Sequence, residues 1–219
     1  MTFSLGEIES QVQELLACGL VGTSQDFYAW IRMGILRKFR EEPKIPPDWI
    51  PKILETLKES KTIIHGKYNS REFGLPTNSE LLNKPTLKEE YVILGKTEFQ
   101  PMQYVRSRLE AFLRGNRIKE DTIVDLTIGS IEAVENAVKY GDGSIVEVGY
   151  WIENGSLFKI QMVNNLREFS IDEDIERGKF SSTATLMRGM MVMQKLFDKL
   201  DLEILEERKQ ALFRAEKKV

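Results

Sequence analysis

Apolar residues recur every three or four positions over residues 5–20, 24–40 and 49–64, and this spacing predicts three amphipathic helices. The first carries Ile8, Val12, Leu15 and Leu16, and the second Phe27, Trp30, Ile31, Ile35 and Phe39. Between the second and third, Ile45-Pro46-Pro47-Asp48-Trp49 interrupts the helical pattern. Proline lacks an N–H donor and pushes the residue before it toward extended backbone. Phe27, Tyr28, Trp30 and Trp49 are assigned to the core of this segment, with a surface for dimerisation or a partner helix as the alternative. Residues 69–90 then turn polar around Gly74, Pro76 and Pro85, the composition of a linker or long loop.

The pattern changes after residue 90. Tyr91–Phe99 is rich in β-branched and aromatic residues and reads as a strand. Met102, Val105, Leu109 and Phe112 form a helical stripe over residues 100–114, and residues 119–140 form a longer helix. Residues 144–153 and 156–164 flank Asn154-Gly155, a strong hairpin signal. A Met- and Leu-rich helix over 182–200 and a strand pair over 202–206 and 211–217 complete the chain. Met187, Met190, Met191 and Met193 cluster on that helix, where methionine packs a core or builds an adaptable partner surface. The fold class is α+β: a two-layer α/β sandwich, with helices on one face of a mixed sheet, preceded by a helical N-terminal region. The expected division is 1–68 helical, 69–90 linker and 91–219 sandwich.

Residues 131–141, Ile-Glu-Ala-Val-Glu-Asn-Ala-Val-Lys-Tyr-Gly, carry the chemistry. Glu132 and Asn136 stand four apart, one above the other on a helix face, with Ala133 and Ala137 repeating the spacing beside them. A carboxylate and an amide oxygen one turn apart suit a hard cation, or a base beside a ligand; a solvated face is the plain alternative. Tyr140-Gly141-Asp142-Gly143 reads as a glycine C-cap and turn.

This string resembles the N-box helix of the gyrase, histidine kinase and MutL ATPase superfamily, and in particular the anti-sigma-factor serine/threonine-protein kinases. Their pattern is Glu-Ala-x-x-Asn-Ala-x-x-His-Gly. Glu132, Ala133, Asn136, Ala137 and Gly141 match it, and Tyr140 stands in place of the histidine. The resemblance covers about residues 91–219 and implies a Bergerat-type ATPase fold that binds ATP or ADP with magnesium. It implies magnesium coordination by Asn136 and a general base in Glu132. The family's second motif, Asp-x-Gly-x-Gly, places an adenine-contacting carboxylate at the end of the strand after the hairpin. Phe158, Ile160 and Met162 alternate there, and Asn164 is next in phase, the candidate adenine contact. Leu166 and Glu168 replace the two glycines. In the third motif, a Gly-x-Gly ahead of a helix whose N–H groups hold phosphate, Gly189 remains, Met187 replaces the first glycine, and Arg188 offers a cation. Ser181-Ser182-Thr183 reads as a helix cap or the rim of a phosphate site. The acidic run over 171–177 is a solvated face in the segment that forms the nucleotide lid in relatives.

The implied role is a cytoplasmic signalling and transcription regulator that phosphorylates a Ser or Thr of a partner. That partner is an anti-sigma-factor antagonist or a sigma factor, and a homodimer is common. A non-catalytic interaction module, its nucleotide site eroded, is the alternative. Composition narrows this further. With 31 Lys and Arg against 34 Asp and Glu the net charge is −3, which disfavours direct nucleic-acid binding. No stretch reaches the roughly 20 apolar residues of a membrane span, and the N-terminus lacks the pattern of a secretory signal. Cys18 is the single cysteine, which suits a reducing cytoplasm and reads as a buried small hydrophobe. His65 is the single histidine and reads as a loop residue, so no phospho-accepting His helix of the sensor-kinase kind is expected.

Overall fold

The computed structural model describes residues 1–67, 69–167 and 181–219, with side chains in the last segment from residue 188 onward. The acidic run over 171–177, the glycine replacement at Glu168 and the side chains of Ser181, Ser182, Thr183 and Met187 lie outside the described residues. The chain forms two compact units. Met1–Pro85 joins with Thr97–Asn116, and Thr86–Lys96 joins with Arg117–Val219.

The first unit is helical. Helix α1 (Leu5–Ala17) starts at a capping box in which Ser4 and Glu7 exchange hydrogen bonds, and α2 (Ser24–Phe39) repeats the device with Thr23 and Asp26. Each box satisfies amide donors that the first helical turn leaves unpaired. Helix α3 (Trp49–Glu59) is capped at Ser60 and ends five residues short of the expected limit at residue 64. Lys61 there adopts left-handed backbone, and Ile64–His65 pairs antiparallel with Phe73–Gly74 as strands β1 and β2. His65 therefore sits in a short strand. Helix α4 (Pro101–Gly115) buries Tyr104, Val105, Leu109 and Phe112 within this unit, where Tyr104 meets Trp30 edge to face at 5.7 Å. Of the expected stripe Val105, Leu109 and Phe112 are buried and Met102 is half-buried, with Tyr104 added, while the place of α4 in the chain suggested membership of the sandwich. Phe27 and Trp30 are core, while Tyr28 and Trp49 are half-buried and Phe39 is exposed. Cys18 is half-buried, its sulfur 3.5 Å from Asn83 Nδ2.

The second unit is an α+β sandwich. Strand β3 (Lys88–Leu94) stops earlier than expected, and Thr97–Phe99 is a 3-10 turn leading into α4. Helix α5 (Glu120–Tyr140) runs directly into β4 (Gly141–Glu153). The Asn154-Gly155 turn, with positive φ at both residues, returns the chain as β5 (Leu157–Leu166). Helix α6 (Ser181–Leu196), β6 (Lys199–Leu205) and β7 (Gln210–Lys218) follow. Strand order is β3-β4-β5-β7-β6 and every pair is antiparallel, so the expected mixed sheet is corrected. Two tight turns, at Asn154-Gly155 and around Lys209, build most of it, and a tight hairpin can only join antiparallel strands. Val146, Val148, Tyr150, Phe158, Ile160 and Met162 bury the helix-side face against Ile123, Leu126, Val134 and Ala137 of α5. Among the described residues no helix is long and apolar enough to cross a membrane.

Candidate functional site

Helix α5 positions the site because one edge of it is lined by small residues. Ala133 and Ala137 are buried, and beside them a cavity of about 360 Å³ opens between α5, α6 and the sheet. Among the described residues three polar side chains line it: Asn136 and Tyr140, one turn apart on α5, and Asn164 at the end of β5. The other walls are apolar, among them Met162, Met190, Met193, Leu202, Ile204 and Phe213. The strand alternation that singled out Asn164 holds. Phe158, Ile160, Met162 and Asn164 all face the helices, and Asn164 is 7% exposed.

The polar groups are held differently. Asn164 Nδ2 donates to Asn165 O at 3.1 Å. Asn165 is itself fixed: its Nδ2 donates to Ser144 Oγ at 3.1 Å, and Gln210 Nε2 donates to its Oδ1 at 3.1 Å. One N–H of Asn164 Nδ2 is thus used within the protein. Asn136 differs, because its Nδ2 is buried with no hydrogen-bond partner among the described residues. Tyr140 is buried, and its carbonyl accepts from Arg167 N at 3.2 Å.

Gly141 sets how closely α5 meets β5. It is the C-cap of α5, as expected, with its N–H donating to Ala137 O, but its backbone is extended and it opens β4 where a turn was expected. What requires glycine is close approach. A Cβ would fall 2.4 Å from Ala137 O and 3.2 Å from Asn165 O. Any side chain there would push α5 away from the strand that carries Asn164.

Glu132 and Gly189 form a second contact, next to this cavity and outside its lining. A Cβ on Gly189 would lie 2.1 Å from Glu132 Oε1, so the glycine lets the carboxyl pack on the backbone of α6. Burial raises the Glu132 carboxyl above the ordinary carboxylate range; the nearby Glu135 adds to this and Lys139 opposes it. Gly189 lies inside α6, not ahead of it, where its N–H is committed to the helix rather than free for a phosphate. Arg188 beside it is exposed. The structure therefore brings Asn136, Tyr140 and Asn164 to one cavity and leaves Glu132, Arg188 and Gly189 off its walls.

Sequence reasoning missed Leu202, Ile204, Ala211 and Phe213 as cavity walls. The alternation of Ala211, Phe213 and Ala215 marked the inward face of β7, though not the hollow beneath it. The Asn165–Ser144–Gln210 bracket left no signal, since it joins three strands distant in sequence. No protein-family model matches this chain, and no curated protein matches it either.

Proposed function

We propose that the second unit binds an adenine nucleotide and that the protein is a signalling regulator acting through a protein partner. One observation carries the reading: the N-box asparagine and the in-phase residue of β5, Asn136 and Asn164, line one cavity with Tyr140. Those are the positions that the resemblance to anti-sigma-factor kinases assigns to the nucleotide. A concave apolar site with a few convergent polar groups is the usual form of a small-molecule site.

The base half of the ligand fits. Apolar and methionine walls suit a flat heterocycle, and the bracketed Asn164 keeps an oxygen with which to accept from an amino group. The magnesium position fits less well. The amide oxygen of Asn136 suits a cation, but among the described residues Glu132, the carboxylate one turn away, is not on the cavity's walls. Among the described residues no three His, Cys, Asp or Glu side chains group as metal ligands. We accordingly derive no phosphoryl-transfer step. The resemblance suggests the partner class, an anti-sigma-factor antagonist or a sigma factor met in the cytoplasm.

A second reading, a working serine/threonine-protein kinase, is favoured by the half-buried Glu132. A carboxyl raised toward neutrality is better matched to general-base work than an ordinary one. Thermal unfolding with ATP, ADP and GTP, each with and without magnesium, tests the main reading. A ligand that binds the native state at 100 times its Kd stabilises it by about 2.7 kcal/mol. Adenine nucleotides should raise the midpoint in the wild type and less in Asn136→Ala. Equal shifts with GTP, or none with any nucleotide, would count against it.

A further inference from the structure

We propose that the free edge of β6 receives an extended segment of a partner protein, a strand that alternates large apolar residues with lysine or arginine. The sheet ends at β6, which pairs only with β7. Among the described residues its outer edge therefore carries backbone N–H and C=O groups with no ladder partner. The register with β7 runs unbroken from Lys199 to Leu205, with no bulge to bend the edge out of reach. A regular edge of this kind is a template for one more strand.

The inner face of β6 is unfinished. Leu202 and Ile204 stand opposite Phe213 and Ala211, which in turn stand opposite Met162 and Asn164, so both belong to the helix-side face of the sheet. Yet they are 39% and 51% exposed. The other edge of the sheet differs, because the helix-side Ile93 of β3 is fully buried. An added strand would cover Leu202 and Ile204 with apolar residues of its own.

The outer face of β6 selects the partner. Asp201 and Glu203 are both exposed there and share one guanidinium, with Arg214 Nη1 3.4 Å from Asp201 Oδ2 and 3.3 Å from Glu203 Oε2. Lys199, at the start of the strand, is paired with Glu216 at 3.2 Å. Two carboxylates against one guanidinium leave negative charge beside the free edge. Opposite charges on neighbouring strands stabilise a pair, and like charges directly opposite destabilise it. A second copy fails this condition: β6 laid antiparallel on itself about Leu202 sets Asp201 against Glu203 twice. A strand with basic residues on one face and apolar residues on the other satisfies both faces of β6. The proposal uses none of the cavity's polar groups, so it stands or falls apart from the nucleotide reading.

The test uses the full chain, without nucleotide, and two capped peptides of seven residues, the length of β6. One alternates lysine with valine and the other glutamate with valine. Calorimetric titration measures affinity, and amide hydrogen exchange locates the contact. The lysine peptide should bind at least about tenfold more tightly than the glutamate peptide, and it should slow exchange in β6 while leaving β3 unchanged. In the double variant Asp201→Asn with Glu203→Gln the preference should shrink to about threefold or less. Equal affinity for the two peptides overturns the proposal, as does no binding of the lysine peptide at millimolar concentration, or protection on β3 instead of β6. Concentration-dependent self-association of the chain that protects β6 also overturns it, by giving the edge to a second copy. Should the double variant not fold, the two peptides on the wild type decide.

Discussion

Helix α5 meets its surroundings in two ways within three turns. Around Asn136 and Tyr140 it borders a hollow of about 360 Å³, and around Glu132 it is packed so closely that only glycine fits opposite. Both stretches belong to the string over residues 131–141, yet one borders a cavity and the other is packed against protein. In the resembling kinases, a base-binding end and a phosphate-handling end work together. Here the stretch around Asn136 and Tyr140 borders a cavity lined by Asn136, Tyr140 and Asn164. The other end is a helix contact, with Gly189 inside α6 and the Glu132 carboxyl resting on it. The comparison teaches that neighbouring turns of one helix can keep a regular spacing while one borders a cavity and the other is packed against a second helix.

The largest effect should come from closing the gap between α5 and β5. In Gly141→Ala the new Cβ meets two backbone oxygens that cannot swing aside, so urea unfolding should show a loss of about 3 kcal/mol, the upper range for overpacking. Nucleotide binding should weaken with it, because the helix that carries Asn136 is displaced. Next comes Asn164→Leu, which removes the bracketed amide at the base end. Titration with ADP should show at least about a tenfold loss, which is about 1.4 kcal/mol, while the unfolding midpoint moves little.

The packed end should respond more mildly. In Gly189→Ala the obstacle is the far end of a flexible side chain, and alanine favours the helix by up to about 1 kcal/mol. Stability should stay within about 1 kcal/mol of wild type by urea unfolding, and Gly189→Ala with Glu132→Ala should exceed either single variant. The smallest effect concerns pH. Because the Glu132 carboxyl is raised in the folded state, the folded protein holds more proton than the unfolded one between the ordinary carboxylate value and the raised one. Stability therefore falls as pH rises through that window, and the penalty is constant above it. Glu132→Gln removes the penalty. Its advantage over wild type in urea unfolding should grow with pH across the window and then level off, and a constant difference would contradict the assignment.

Much of this architecture is legible in the sequence where local physics decides. The α5 limits, the Asn154-Gly155 hairpin and the inward phase of Asn164 follow from periodicity and turn chemistry, which need no knowledge of distant contacts. The rest depends on what meets what. The helix over 101–115 shows its apolar stripe but not which core receives it. Gly141 and Gly189 look like loop glycines, yet each is required by an atom from another part of the fold: Asn165 O opposite the first, together with Ala137 O, and Glu132 Oε1 opposite the second. The cavity is least legible, since an absence of packing leaves no mark in a pattern of apolar positions. Asn136 shows this most plainly: its spacing from Glu132 is visible in the sequence, but not that it lines a cavity whose described walls leave Glu132 out.

The most direct test of the central claim is calorimetric titration of the wild type and Asn164→Leu with ADP. The account predicts saturable one-to-one binding to the wild type that is lost or weakened at least about tenfold in the variant. Identical isotherms for the two proteins, or no heat from the wild type at millimolar ADP, would contradict it.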